Sequence, residues 1–239
     1  MVGSRASSSK GDALSVAAGD ARRLGPIDIP VETDALFGQP IQQILRYARS
    51  QGMDLIVVGA KGQSSLEMML LGSVAQGVLQ YADRPVLLAR PGASSVETAV
   101  VGVDGSRASM RAVKFFDRLA MDSVSLLVLA RAVFLIAAGQ RGLISRSKAE
   151  IEEFNKMVGR PAQENLAAAS LALDEIHRAT INEILPGEAG PQLLLASAAH
   201  EAGLLVVGSG RPSRLKKYLV GTTAEYVARQ AVCSVLVVR

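Results

Sequence analysis

The chain has 239 residues, which is enough for two domains of modest size, each with its own hydrophobic core. The formal net charge of +4 is mildly basic, but aromatic residues make up only 4% of the sequence. The stacking side chains of single-stranded nucleic-acid binders are therefore scarce, and nucleic acid is not an expected partner. The single cysteine, Cys233, excludes an intramolecular disulfide, and no Cys/His spacing predicts a metal site.

The apolar segments of the sequence do not resemble membrane spans or export signals. The longest apolar run, residues 124–139, is interrupted by Arg131 and is too short to cross a bilayer comfortably. Residues 1–15 contain no hydrophobic core of a signal peptide. We therefore predict a soluble, cytoplasmic protein with no membrane partner.

An internal repeat organises the chain. Residues 54–90 align with residues 203–239 at a constant offset of 149 without a gap, and 14 of the 37 aligned pairs are identical. In chain order the first copy is predicted as a strand (IDIPVETD, residues 27–34), a helix (40–52), a short buried strand (55–59), a glycine-containing loop, a helix (72–82) and a terminal strand (85–90).

The second copy repeats this pattern with additional elements in front of it. A strand (98–106), a helix (107–121), a strand (125–133) and a helix with a charged start (147–156) precede a strand (180–187), a helix (191–203), a strand (204–208), a helix (221–231) and a terminal strand (234–239). Strands that alternate with helices predict an α/β fold with parallel sheets covered on both faces. We predict two tandem domains, residues 1–93 and 94–239.

The first copy lacks the front of the domain. The counterpart of Asp104 would lie 149 residues earlier, at position −45, before the first residue of the sequence. The first copy therefore lacks its first strand, first helix and second strand. We expect the chain to be a fragment of a longer open reading frame, or to take a strand from elsewhere.

The loop after residues 55–59 carries the clearest functional pattern. Gly59 ends a buried strand, Gly62 follows three residues later, and Gly72 and Ser73 open the next helix. Glycines allow a sharp turn and a close approach to a polyphosphate, and Ser73 is predicted to cap the helix and to offer a hydroxyl to the same anion. Taken singly, each glycine is as well explained by an ordinary turn; the whole set favours a phosphate site.

This set resembles the universal stress protein family, whose motif is G-x2-G-x9-G followed by Ser, Thr or Asn. The stretches DLIVVG, LLGSV and PVLLAR are also similar to that family, over residues 26–239. The resemblance implies a Rossmann-like fold, strand order 3-2-1-4-5, pairing through the last strands, and ATP or AMP as ligand, with or without Mg²⁺. The first-copy contacts that it implies are Val58, Gly59, Gly62, Gly72, Ser73 and Val74.

In the second copy, the resemblance implies Asp104, Gly208, Gly221 and Thr222 as ligand contacts. Asp104 matches the aspartate that ends the family's first strand, and a carboxylate there can accept hydrogen bonds from ribose hydroxyls; a plain Asp-Gly turn is the alternative. Arg211 stands where the family has its second loop glycine. It either fills the space of a phosphate or adds charge to the site, and we favour the first.

Three functions follow as hypotheses. The first is a nucleotide-binding universal stress protein acting in stress response, with no catalytic residues and at most a slow hydrolysis of ATP, because no general base is positioned. The second is a family member that binds no nucleotide and acts as an interaction or dimerisation module. The third, a nucleotide-transferring enzyme on a related α/β fold, lacks a catalytic cluster. Intrachain pairing of residues 85–90 with 234–239 is expected, and a homodimer is left open.

Overall fold

The computed structural model describes residues 30–60, 71–91, 96–135, 148–173, 178–210 and 221–239, together with Ser15 and Gly19. The chain divides into two compact units, residues 1–47 and 48–239. The described elements are α1 (Pro40–Ser50), β1 (Ile56–Gly59), α2 (Ser73–Tyr81), β2 (Val86–Ala89), β3 (Thr98–Gly102), α3 (Arg107–Arg118), β4 (Leu126–Val133), α4 (Lys148–Ser170), β5 (Ala179–Pro186), α5 (Ala189–Ala199), β6 (Leu204–Gly208), α6 (Thr222–Gln230) and β7 (Ser234–Val238).

The described strands form one seven-stranded sheet in the order β1-β2-β7-β6-β3-β4-β5. Neighbouring strands are parallel except β2 and β7, which pair antiparallel with Leu87 opposite Leu236. Read from β5 to β7, the second copy has the order 3-2-1-4-5, as the family resemblance implies. The expected pairing of the two terminal strands within the chain is also confirmed.

The second copy forms its core on both faces of this sheet. Its strands are short apolar runs, as expected for strands buried on both faces. Side chains of β3, β4, β6 and β7 such as Val100, Leu127 and Leu236 have no exposed surface. Helix α3 covers one face with Ala112, Phe116 and their neighbours, which recur at helical spacing. This core fixes the ends of the strands relative to one another.

The first copy gives β1 a neighbour on one side only, among the described residues. Val57 of β1 is 58% exposed, whereas the equivalent residue Val206 of β6 is fully buried. The difference follows from the neighbours of β6, because α3 packs on β6 and β3 pairs with it. The described part of the chain provides no such pair of elements for β1.

The prediction of a strand over residues 27–34 is wrong where it can be checked. Residues 30–34 form no strand, and residues 27–29 lie outside the described residues. The sequence alternates as a strand would, but a strand forms only when a neighbouring strand satisfies its backbone groups. In the second copy that neighbour is β4, and the described part of the first copy has no equivalent of it. Among the described helices, none is both long and apolar enough to cross a membrane.

Candidate functional site

A cavity of about 260 Å³ lies at the carboxyl ends of β3, β4 and β6 and at the start of α5 and α6. Four residues predicted from the sequence line it: Asp104, Gly208, Gly221 and Thr222. They come together because parallel strands place their carboxyl ends at one edge of a sheet, which is where ligands bind in open α/β folds. The volume is slightly below the usual range for pockets of small ligands, roughly 300–1,000 Å³.

Asp104 follows β3 and is fixed by a tight turn at the cavity. The backbone N–H of Ser106 donates to its Oδ1 at 2.9 Å, and Gly105 takes a φ of +75°, which few other residues adopt. Partial desolvation alone would raise the pKa of Asp104, but hydrogen bonds with Ser106 and Ser109 and the charge of Arg131 outweigh it, so the pKa falls below its usual value. The side chain is therefore a carboxylate at neutral pH, within an Asp-Gly turn that also borders the cavity.

The glycines of this cavity differ in whether the fold requires glycine at their positions. A Cβ added to Gly208 would lie 2.6 Å from the backbone N of Ser109, so the packing of α3 on β6 requires glycine there. A Cβ on Gly221 would find its nearest neighbour 4.0 Å away, and one on Gly210 would meet nothing within 4 Å. Neither of these two has a positive φ that requires glycine. Among the described residues, packing therefore gives no reason for glycine at positions 210 and 221.

Helix α6 presents its amino end to the cavity without a side-chain cap. Its N-cap residue is Gly221, which has no side chain to form a cap hydrogen bond, and whose own N–H donates to Oγ of Ser209 at 3.3 Å. Helix α3, by contrast, has Ser106 as N-cap, and its Oγ accepts from Ser109 N at 3.2 Å. The first backbone N–H groups of a helix need acceptors, and together with the helix dipole they form a site suited to an anion.

The prediction that Ser73 caps its helix is wrong. Gly72 is the N-cap of α2, with φ −61° and ψ 148°, and Ser73 is the first helical residue. The second copy has the same arrangement at Gly221 and Thr222. A hydroxyl at the first helical position is directed differently from one at the N-cap, which is the position whose oxygen meets the N–H of the following residues.

The first-copy residues lie around the end of β1, apart from the cavity. Gly59 ends β1, and the N–H of Gly72 donates to the carbonyl of Ala60 at 2.8 Å, which joins strand end and helix start. Gly62, Lys61 and Arg211 with the basic stretch 214–217 lie outside the described residues. The described first-copy candidates line neither this cavity nor the larger one described below: Val58, Gly59, Gly72, Ser73 and Val74.

Sequence reasoning missed two contributors to the cavity region. Ser109 is buried, its Oγ accepts from Asp104 N at 3.3 Å and it donates to the carbonyl of Ser106 at 3.0 Å, which holds the turn against α3. The available signal was a pair of serines three residues apart, Ser106 and Ser109, at the start of a predicted helix. Arg131 of β4 also lines the cavity, and its Nε is buried and makes no hydrogen bond with the described residues. No sequence signal sets the register of β4 against β3, so the position of Arg131 at the cavity could not be predicted.

A larger cavity, about 630 Å³, is bordered by α3 and by the residues before β2. Its described lining mixes charges of both signs: Arg84, Arg111, Lys114, Arg118 and Arg239 with Asp54, Asp83 and Asp117. Several of these groups already have partners, such as Arg84 Nη1, which donates to Met53 O at 2.6 Å. This cavity contains none of the residues that the sequence assigned to a ligand.

His200 follows the last residue of α5 and is partly buried. Its Nε2 lies 2.7 Å from Oε1 of Glu183, and its side chain is only 22% exposed. The contact connects the end of α5 to β5. His177, the other histidine, lies outside the described residues.

An open parallel sheet with a cavity at its strand ends defines the class of α/β proteins that bind ligands at that edge. The family model described as the universal stress protein family matches residues 3–90 and again residues 96–239. The chain belongs to the universal stress protein family. The domain boundary expected at residues 93 and 94 falls between the two matches.

The curated relatives that the chain resembles are also universal stress proteins. A universal stress protein of Mycobacterium tuberculosis (strain H37Rv) is 29% identical over 239 residues, covering 95% of this chain and 74% of the relative. One of Bacillus subtilis (strain 168) is 44% identical over 62 residues, covering 26% of this chain and 42% of the relative. The chain spans less than half the length of the first three curated relatives it matches.

The crystal structure of a universal stress protein from Archaeoglobus fulgidus has the same fold. It superposes with a TM-score of 0.65 at 21% identity, covering 98% of this chain and 79% of that one. At this level of identity the likeness concerns the architecture of the sheet and its helices.

Proposed function

We propose that this chain binds a nucleotide in the cavity of the second repeat. The observation that carries the proposal is the convergence of Asp104, Gly221 and Thr222 on one cavity at the strand ends. The family resemblance implies ATP or AMP as the ligand. Binding in stress response is the role that fits the family, without efficient catalysis.

The two ends of the cavity suit the two parts of a nucleotide. The amino end of α6, with a glycine as its N-cap, offers backbone N–H groups to a phosphate, and no described residue crowds Gly210 or Gly221 there. Asp104 is ionised and can accept hydrogen bonds from ribose hydroxyls. Among the described lining residues Asp104 is the one carboxylate. A Mg²⁺ ion would therefore be held chiefly by phosphate oxygens and water.

The second repeat is the better candidate of the two on this geometry. The sequence favoured the first loop, since Arg211 interrupts the motif of the second copy. The described residues, however, give the first loop neither an aspartate strand nor a neighbour for the outer edge of β1. The first loop stays a prediction, with Gly62 and Ser73 as its proposed contacts.

The test is isothermal titration of the full chain with ATP and AMP, using Gly221→Val against Gly72→Val. If the second repeat binds the ligand, Gly221→Val lowers affinity at least tenfold and Gly72→Val changes it little. The reverse result assigns the ligand to the first loop. Asp104→Asn, which keeps the size of the side chain, should weaken binding as well, because one charged hydrogen bond is worth roughly 1.5–3 kcal/mol.

A second candidate is an interaction module, and the exposed outer edge of β1 favours it. Val57 of this strand has an exposed apolar side chain, and a strand edge that no described strand covers is a template for pairing with another chain. Purified protein that contains no nucleotide, and that binds neither ATP nor AMP, supports this second function. Sedimentation at several concentrations then shows whether the partner is a second copy.

A further inference from the structure

We propose that the first repeat sets the nucleotide affinity of the second repeat, and that Arg90 is the residue through which it acts. This inference rests on the proposed function and adds a regulation of the same site. Arg90 follows β2 of the first repeat, and its Nη2 donates to the carbonyl of Ala228, near the end of α6, at 2.8 Å. The amino end of the same helix lies at the cavity. One short helix therefore connects the ligand site with the other repeat.

The antiparallel pairing of β2 with β7 brings Arg90 to this place. The carboxyl end of β2 lies beside the amino end of β7, where the backbone N–H of Arg90 donates to Oγ of Ser234 at 3.1 Å. Helix α6 starts at the carboxyl ends of the strands and ends near their amino ends, because it leads back into the parallel strand β7. The backbone of Arg90 is thus fixed to the sheet, and its side chain holds the end of the helix.

The carbonyl of Ala228 depends on Arg90 for its hydrogen bond. Ala228 has no exposed surface, and its carbonyl is one of the last four of α6, which have no partner within a helix. Loss of the arginine leaves a buried acceptor unpaired, which is costly unless the helix end moves to where water reaches it. A displacement of the end of α6 is therefore the expected response.

Helix α6 can transmit this displacement to the ligand site. Its nine residues span about 13 Å, which is short enough for the helix to move as one body. Its middle residue, Tyr226, packs closely on α5, where a Cβ added to Gly190 would lie 2.6 Å from Cδ1 of the ring. This contact holds the middle of the helix, so a displacement of one end tilts the other. The backbone N–H groups that follow Gly221 then point away from a bound phosphate, and hydrogen bonds weaken steeply when they are misaligned.

Arg239 provides a matched control, because the repeat gives it the same role at α2. Its Nη2 donates to the carbonyl of Leu79, a residue that is also buried. The amino end of α2 begins at Gly72, which does not line the cavity. Loss of either arginine breaks the same kind of contact, but only Arg90 holds the helix of the proposed site.

Titration calorimetry of the full chain with ATP and AMP tests the inference on the parent, Arg90→Met and Arg239→Met. Arg90→Met should bind both nucleotides at least about fivefold more weakly than the parent, the low end of the usual coupling between two sites. Arg239→Met should stay within about twofold of the parent, as expected for a distant and independent position. Urea denaturation of both variants checks that their losses of stability are comparable.

The outcomes separate the inference from the function beneath it. An affinity of Arg90→Met equal to that of the parent, or equal losses of affinity in the two variants, would overturn the inference and leave nucleotide binding intact. A loss in Arg239→Met alone would place the ligand at α2 and overturn both the inference and the proposed site. A parent chain that binds neither ATP nor AMP would also overturn both.

Hydrogen exchange of the parent chain gives a second measurement, which still decides the question if Arg90→Met does not fold. Coupling between two sites is reciprocal, so bound ATP should strengthen the contact of Arg90 with α6. Amide exchange should become slower at Arg90, whose N–H donates to Ser234, and in the last turn of α6. Protection confined to the cavity at the carboxyl ends of the strands would overturn the inference.

Discussion

Arg90 and Arg239, which are equivalent in the two repeats, each bind the last helix of the other repeat. Arg90 Nη2 donates to the carbonyl of Ala228 at 2.8 Å, and Arg239 Nη2 donates to the carbonyl of Leu79, the residue equivalent to Ala228. Both carbonyls belong to the last turns of α2 and α6, whose acceptors lack partners within their helix. The two arginines therefore join the repeats on both sides of the β2–β7 pair.

Removal of one of these arginines should loosen this junction. Arg90→Met and Arg239→Met each delete a charged donor to a partly buried carbonyl, so each should lower the free energy of unfolding by about 1–3 kcal/mol. Urea denaturation followed by circular dichroism measures the change. Arg229→Met is the control, because Arg229 forms an exposed pair with Glu225 and should cost under about 0.5 kcal/mol. Equal effects for all three variants would contradict the role of the junction.

Gly208 and Gly221 should respond differently to alanine. At Gly208 the new Cβ meets the backbone of α3, so Gly208→Ala should destabilise the fold by roughly 1–3 kcal/mol. At Gly221 the nearest described atom is 4.0 Å away, so Gly221→Ala should cost only about 0.5–1 kcal/mol, because alanine is a poorer N-cap than glycine. Thermal unfolding of both variants checks this, and a melting temperature of Gly208→Ala equal to that of the parent would contradict it.

The buried pair of Arg178 and Asp117 should be sensitive to the loss of either partner. The side chains are 2% and 7% exposed, and the guanidinium lies 5.3 Å from the centre of the Phe116 ring. Asp117→Asn leaves an arginine buried beside a neutral amide, which should cost about 3–5 kcal/mol. Chemical denaturation gives the value. A loss below about 1 kcal/mol would show that water reaches the pair.

The Asp104 carboxylate should make stability depend on acid pH. Its pKa is lower in the folded protein than the usual value near 3.9, so it stabilises the fold at neutral pH, and this contribution disappears as pH falls from about 4 through the folded pKa. In Asp104→Asn that part of the pH dependence is absent. Urea unfolding of parent and variant between pH 3 and 7 should therefore converge at the acid end. Parallel curves would contradict the shift.

The second repeat should fold without the first, and the first should not fold alone. Residues 95–239 contain five neighbouring strands of the sheet, whereas residues 1–94 contain only the described pair β1 and β2, whose inner edge needs β7. Two strands are too few for independent stability. Each fragment can be expressed and heated while circular dichroism is recorded. A cooperative transition of monomeric 1–94 is the result that would refute this expectation.

Much of the fold could be predicted because the repeat supplied long-range information. The constant offset fixed which strands are equivalent, and the rule that strand ends share one edge brought Asp104 to Gly221 and Thr222. The strand predicted at residues 27–34 does not form over its described part, residues 30–34, because alternation indicates which face a residue would take but not whether a neighbouring strand exists. Arg131 appeared only as an interruption in an apolar run, since its place depends on how far β4 extends past β3. Gly208 looked like a ligand glycine because sequence cannot show that a helix lies against it.

The pairing of β2 with β7 also determines the order in which the two repeats are completed during synthesis. Roughly 150 residues of chain separate the two strands, and a ribosome adding roughly 5–20 residues per second delivers β7 about 8–30 s after β2. Throughout that interval β2 has an unpaired edge, and such edges recruit other nascent chains. The first repeat is therefore synthesised first and completed last, by addition to a second repeat that has already formed. Its yield in the cell should depend on the speed of translation and on chaperones more than that of the second repeat.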